Sequence, residues 1–165
     1  MVLQACGREL PAPQLDVREL GGEFALTDHR GHDFSLAGQG GRVFCLFFGF
    51  TACREVCPVT LSRLAASTRI LSVTVDPQRE TPQRTAEYHL ALGGRAIGLT
   101  GDAEQIRAMA PACRAGFQRT EDQGEDYDMK HSSRAHLIDQ KGRVRYLFSQ
   151  EDPPKLLAGA AAQLL

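Results

Sequence analysis

The longest apolar run in the chain is residues 43–50, Val-Phe-Cys-Leu-Phe-Phe-Gly-Phe. Apolar residues at successive positions predict a central strand covered on both faces, since a half-exposed strand would alternate. Residues 70–75, Ile-Leu-Ser-Val-Thr-Val, are rich in β-branched side chains and predict a second central strand. Residues 97–99 predict a short third. Residues 58–66, opened by Pro58, predict a helix. Thr81-Pro82 predicts another, with Thr as N-cap and Pro at the first helical position, running to about residue 92 and stopping at Gly93-Gly94. Asp102 to Gln105 reads as a capping box for a helix that ends at Pro111. Residues 113–118 predict a strand. Two hairpins flank turn-forming stretches: residues 24–27 and 33–36 around Asp28-His29-Arg30-Gly31, and residues 134–139 and 144–148 around Gln140-Lys141-Gly142. Residues 153–165, rich in Ala and Leu, predict a terminal helix.

This order is that of a thioredoxin-like α/β fold, a central mixed sheet flanked by helices with an N-terminal β-hairpin. In such open sheets reactive groups gather beyond the carboxyl ends of the strands. Cys53 and Cys57, a CxxxC pair, follow the end of the first central strand, and Asp76 follows the end of the second. A helix start offers unpaired N–H groups and a partial positive charge, which favour thiolate over thiol. Arg54 adds charge of the same sign. If the helix extends back to Cys53, the i, i+4 spacing puts both sulfurs on one face. If Cys53 lies in the loop, the pair can still meet across the first turn. The alternative for such a pair is plain core packing, which its place at a strand-to-helix junction disfavours.

With 165 residues the chain suits one domain with a substantial core. A net charge of −1 offers no electrostatic footprint for nucleic acid. No apolar run is long enough to cross a bilayer. Five cysteines is an odd number for a disulfide framework. Cys45 and Cys113 are expected to pack in strands, His29 and His32 to be solvated at a turn, His89 to lie on a helix surface and His136 to pack. Residues 119–130, with five acidic side chains, read as a solvated, mobile loop. At the N-terminus, Leu3-Gln4-Ala5-Cys6 resembles a bacterial lipobox and makes Cys6 the candidate for lipid attachment. The five residues before it are few for a signal peptide, whose apolar region alone takes roughly 7–15 residues. Residues 1–22, with two prolines and a closing Gly-Gly, read as a tether, and residues 23–165 as the domain.

Four motifs in order resemble those of the SCO/SenC family of copper-binding, thioredoxin-fold cytochrome c oxidase assembly proteins. The first is Gly49-Phe50-Thr51-Ala52-Cys53 with Cys57-Pro58; the second is Val75-Asp76-Pro77 followed by Arg79-Glu80-Thr81-Pro82, with Tyr88 beyond it. The third is Leu99-Thr100-Gly101. The fourth is His131-Ser132 followed by Asp139-Gln140-Lys141-Gly142. The resemblance runs from about residue 24 to 148. It implies copper, as Cu(I) or Cu(II), held by Cys53, Cys57 and His131, with Asp76 near the site and not the first choice as a ligand. Two thiolates and an imidazole form a soft donor set that suits Cu(I), while Cu(II) would want a further oxygen. Three departures stand out. Arg54 replaces the proline usual after the first cysteine, Lys130 replaces the acid usual before the histidine, and residues 61–70 are shorter than the family's helix and loop.

The resemblance implies a metallochaperone that serves the binuclear copper site of cytochrome c oxidase. Its partner would be a copper-accepting oxidase subunit or another copper chaperone. The alternative is a thiol–disulfide oxidoreductase cycling Cys53 and Cys57 between dithiol and disulfide. A peroxiredoxin-like peroxidase fits poorly, because Thr51 lies six residues before Cys57. An inert interaction domain with a structural disulfide would leave His131 and Asp76 unexplained. The expected setting is the bacterial periplasm or the outer face of the cytoplasmic membrane. There the protein would be a monomer, touching the membrane only through a lipid at Cys6.

Overall fold

The structure is a computed structural model that describes residues 24–53, 56–66, 68–91, 93–120 and 127–165. The expected tether, Cys6 and Arg54 lie outside the described residues.

The run at 43–50 forms β3 (Phe44–Gly49), buried at every position. It pairs in parallel with β4 (Arg69–Thr74), which pairs in parallel with β5 (Ala96–Thr100). On its other edge β3 meets β8 (Ala135–Ile138), which turns back antiparallel into β9 (Val144–Phe148). The N-terminal hairpin, β1 (Ala25–Asp28) and β2 (Asp33–Ser35), joins antiparallel to β5. The result is a seven-stranded mixed sheet of order β2-β1-β5-β4-β3-β8-β9. It is the thioredoxin-like arrangement expected from the element order.

Side-chain alternation along β3 divides the core in two. Phe44, Leu46 and Phe48 pack with Ile106 and Met109 of α3 (Ala103–Ala112) on one face. Cys45 and Phe47 pack on the other, with Leu61 of α1 (Val56–Ala65) and Leu157 of α4 (Pro154–Ala162). Tyr88 of α2 (Pro82–Ala91) packs against this second cluster. The ten residues of α1 make nearly three turns, so the short 61–70 segment still holds a real helix. Thr81 caps α2 by accepting the Arg84 N–H at 3.1 Å, and the Asp102–Gln105 capping box is complete.

Several local expectations need correction. Pro111 does not end α3 but lies in its last turn, and Cys113 is the C-cap, not a strand residue. Arg114 turns the chain with φ 51°, so the next strand, β6, covers only Phe117–Arg119. The polar stretch 119–130 is not all solvated loop. Its described ends enter a separate two-stranded ribbon, β6 paired antiparallel with β7 (Met129–His131), and Tyr127 is buried. His29 is docked, not solvated: its Nδ1 accepts the Gly98 N–H at 3.0 Å. His89 is not on the surface but is only 3% exposed. It faces β5 at Gly98, where a Cβ would stand 2.7 Å from its ring, so glycine is required there. His136 is fully buried, as expected, with its Nδ1 3.3 Å from the Leu46 carbonyl.

Burial holds both His89 and His136 at about 4, against an ordinary value of 6.5. Both side chains are neutral in the fold, and the unfolded chain binds the extra protons first. Their contribution is fully present above pH 6.5 and is lost as pH falls toward about 4. The full loss is about 3 kcal/mol for each histidine. The urea midpoint is predicted to fall between pH 7 and pH 5, with a shallower fall in His89→Gln. A midpoint that does not move over this range would contradict the neutral buried pair.

Candidate metal centre

Three elements deliver the candidate ligands. The β3 strand ends at Gly49, and a turn closed by the Cys53 N–H donating to the Phe50 carbonyl (3.2 Å) places Cys53. Cys57 lies in the first turn of α1, with its sulfur driven into the second core cluster. His131 is the last residue of β7. One donor atom from each of Cys53, Cys57 and His131 lies within 4.8 Å of the other two. It is the one cluster of three metal-ligating groups among the described residues.

The imidazole is oriented for this role. A carbonyl can only accept, so Nδ1–H donates to the Ser132 carbonyl at 3.1 Å. That leaves the Nε2 lone pair facing Cys57 Sγ at 3.5 Å. The rings of Phe47 and Phe50 meet the imidazole edge-on, with centroids at 6.0 and 5.7 Å, and restrict its rotation. Ligands about 2.0–2.3 Å from a central ion stand about 3.5–4 Å apart in a triangle. The three donors are therefore near the required spacing, and their softness fits a soft metal ion.

Cys57 is 1% exposed and Cys53 is partly exposed. The expectation of a thiolate favoured at the helix start does not hold for Cys57. Burial pushes its thiol well up, and the neighbouring Cys53 and Glu80 push the same way. The helix start is outweighed by desolvation. Cys45, Cys53, Cys57 and Cys113 are all free thiols. Cys45, held at about 12, and Cys113, held at about 11, are inert packing groups.

Sequence reasoning missed Glu80. Its buried carboxylate accepts from the Thr51 N–H at 2.8 Å and the Thr51 hydroxyl at 2.6 Å, which clamps the turn leading to Cys53. Its place immediately before the N-cap of α2 was the available signal. Tyr88 was noticed only as a motif residue. Its hydroxyl is buried without a hydrogen-bond partner among the described residues, and burial and the neighbouring thiol and Glu80 charges push its pKa up. Asp76 does not join the donor cluster. Its oxygens are engaged by Arg79 and by the Tyr127 hydroxyl.

A thioredoxin-like fold with two cysteines and a histidine converging at a strand-to-helix junction defines a thiol-rich metal-site class. The SCO1/SenC family model matches residues 12–165, and the chain belongs to that family. The match begins inside the segment read as a tether. A SCO2-like protein of Rickettsia felis is 31% identical over 149 residues, 83% of this chain and 73% of the relative. Arabidopsis thaliana ScoI, solved with copper bound, superposes with a TM-score of 0.80 at 28% identity, covering 87% of this chain and 96% of that one. Bradyrhizobium japonicum ScoI, also solved with copper bound, gives 0.78 at 27% identity over 88% and 99%.

Gly49 adjoins the site so closely that a Cβ would stand 3.0 Å from Cys57 Sγ and 2.8 Å from Phe47 Cε1. Gly49→Ala is predicted to cost about 1–3 kcal/mol in urea unfolding through overpacking. A change under about 0.5 kcal/mol, the size of an ordinary surface substitution, would show that the pocket yields freely.

Proposed function

We propose that this protein is a copper-binding metallochaperone of the SCO/SenC type, carrying its cargo on Cys53, Cys57 and His131. The observation that carries this reading is the convergence of the three donors, with His131 Nε2 aimed at Cys57 Sγ. A carrier must both hold and release. Two ligands sit at the junction of β3 and α1, Cys53 on the turn and Cys57 in the first helical turn, while the third arrives on a separate ribbon. The family and its copper-loaded relatives support copper as the metal. On this reading the cation takes the place of the Cys57 proton, which offsets the cost of burying a thiolate. The client is a copper-accepting subunit of cytochrome c oxidase, or another chaperone on the route to its binuclear site. The setting is the periplasm or the outer membrane face. Residues 1–22 would tether the domain and Cys6 would carry a lipid; no helix among the described residues is long and apolar enough to cross a membrane.

A second reading has an observation of its own. Cys53 and Cys57 are free thiols with their sulfurs within 4.8 Å of each other, and Cys53 is the more exposed. A thiol–disulfide exchange role would have Cys53 attack a partner disulfide and Cys57 resolve the mixed bond. The high thiol pKa of Cys57 makes it a slow resolver, and the role leaves His131 without a task.

Anaerobic Cu(I) competition against a chromophoric chelator separates the two. Tight one-to-one binding is predicted, weakened at least about tenfold in both His131→Ala and Cys53→Ala, since even ligand-supporting groups cost that much when lost. Binding indifferent to His131 would contradict the three-ligand site and put the reductase reading first.

A further inference from the structure

The ribbon that carries His131 is not part of the seven-stranded sheet. At its His131 end, the Ser132 N–H donates to the Gly116 carbonyl at 2.8 Å, one more rung between the two ribbon strands, and the chain runs on into β8. Phe117 and Met129 pack against the first core cluster, and at the ribbon's other end Tyr127 is hydrogen-bonded to the loop after β4. The Tyr127 hydroxyl donates to Asp76 Oδ1 at 2.5 Å, just past the end of β4. Arg79 pairs with the other oxygen of Asp76 and donates through Nη1 to the Tyr127 carbonyl at 2.8 Å. The guanidinium groups of Arg79 and Arg119 stack on the phenol ring at 3.7 and 3.8 Å. Arg119 belongs to β6, so this stack also ties the two ribbon strands to the same point. Asp76 is 3% exposed, and Tyr127 is its contact with the ribbon.

We propose that Tyr127 is a positioning residue for His131: its bond to Asp76 holds the β6–β7 ribbon against the end of β4, and so holds the imidazole over the two sulfurs. This rests on the copper reading and deepens it. Tyr127 touches none of the three donors. It acts on the population of the docked ribbon, and a ligand that needs the docked ribbon binds more weakly in proportion as that population falls. The same tie gives the carrier a place to yield. A partner that displaced Tyr127 from Asp76 would free His131 and leave the cation on two thiolates.

The test is a double-mutant cycle on Cu(I) affinity with Tyr127→Phe, His131→Ala and the pair. Phenylalanine keeps the ring for both guanidinium groups and removes only the hydroxyl. Tyr127→Phe alone is expected to weaken Cu(I) binding by roughly five- to tenfold, the scale of one lost intramolecular hydrogen bond. In the His131→Ala background it should weaken binding by less than about twofold, because the ligand it positions is gone. An equal loss in both backgrounds, or no loss in either, would overturn the proposal. Amide hydrogen exchange of the metal-free protein is the second readout. Exchange at Met129–His131 should quicken in Tyr127→Phe while β3 and β4 amides stay protected; unchanged ribbon exchange would overturn the positioning role. If the wild-type protein bound no Cu(I), the copper reading would fall, and ribbon exchange would still decide whether Tyr127 holds the ribbon.

Discussion

Cys57 Sγ packs at the end of the most buried strand, against the backbone of Gly49 and among the residues of the second core cluster. Little water reaches it, so an anion there is costly unless a cation shares the space. That constraint orders the rest of the site. Gly49 has no side chain because one would collide with the sulfur. Glu80, whose charge bears on Cys57, is held by two donors from Thr51 and raises the cost of a bare thiolate further. The imidazole that faces the sulfur presents Nε2 to it at 3.5 Å. A neutral thiol at rest and a thiolate under a bound cation are the two states this packing favours.

The architecture separates what must be rigid from what must move. The cysteines stand at the junction of β3 and α1, between two packed core clusters. The histidine stands on a ribbon outside the main sheet, which rests on the first core cluster through Phe117 and Met129 and is bonded to the loop after β4 through Tyr127 on Asp76. A metal site built across such a division can change its coordination number without disturbing the sheet. A dithiol site placed wholly on the rigid part would hold its cargo but have no ligand to withdraw.

Much of this was legible in the sequence, for physical reasons. The run at 43–50 can satisfy eight apolar positions only inside a covered sheet, and it marks β3. Thr81-Pro82 and Asp102 with Gln105 carry their capping chemistry in adjacent residues, so the starts of α2 and α3 are local facts. Cys53, Cys57 and His131 stood out by residue type and motif. What sequence reasoning missed depends on tertiary packing. The helix start at Cys57 is local, but the desolvation that outweighs it comes from the packing of the second core cluster, with the Glu80 charge acting the same way. His89 looked solvent-facing until β5 supplied Gly98 as its neighbour. Tyr127 was hidden in an acidic tract whose average polarity masked one aromatic ring, and its partners Asp76, Arg79 and Arg119 come from distant segments. Asp76 bears on His131 through that ring, and it makes no contact with sulfur.

The most direct test of the central claim is X-ray absorption at the copper edge of the reduced, Cu(I)-loaded protein. The account predicts three-coordinate copper, with two sulfur ligands at about 2.2–2.3 Å and one nitrogen at about 2.0 Å, the nitrogen showing the outer-shell scattering of an imidazole. A linear site with two sulfurs and no nitrogen would contradict it, for His131 would then be a neighbour of the metal and not a ligand.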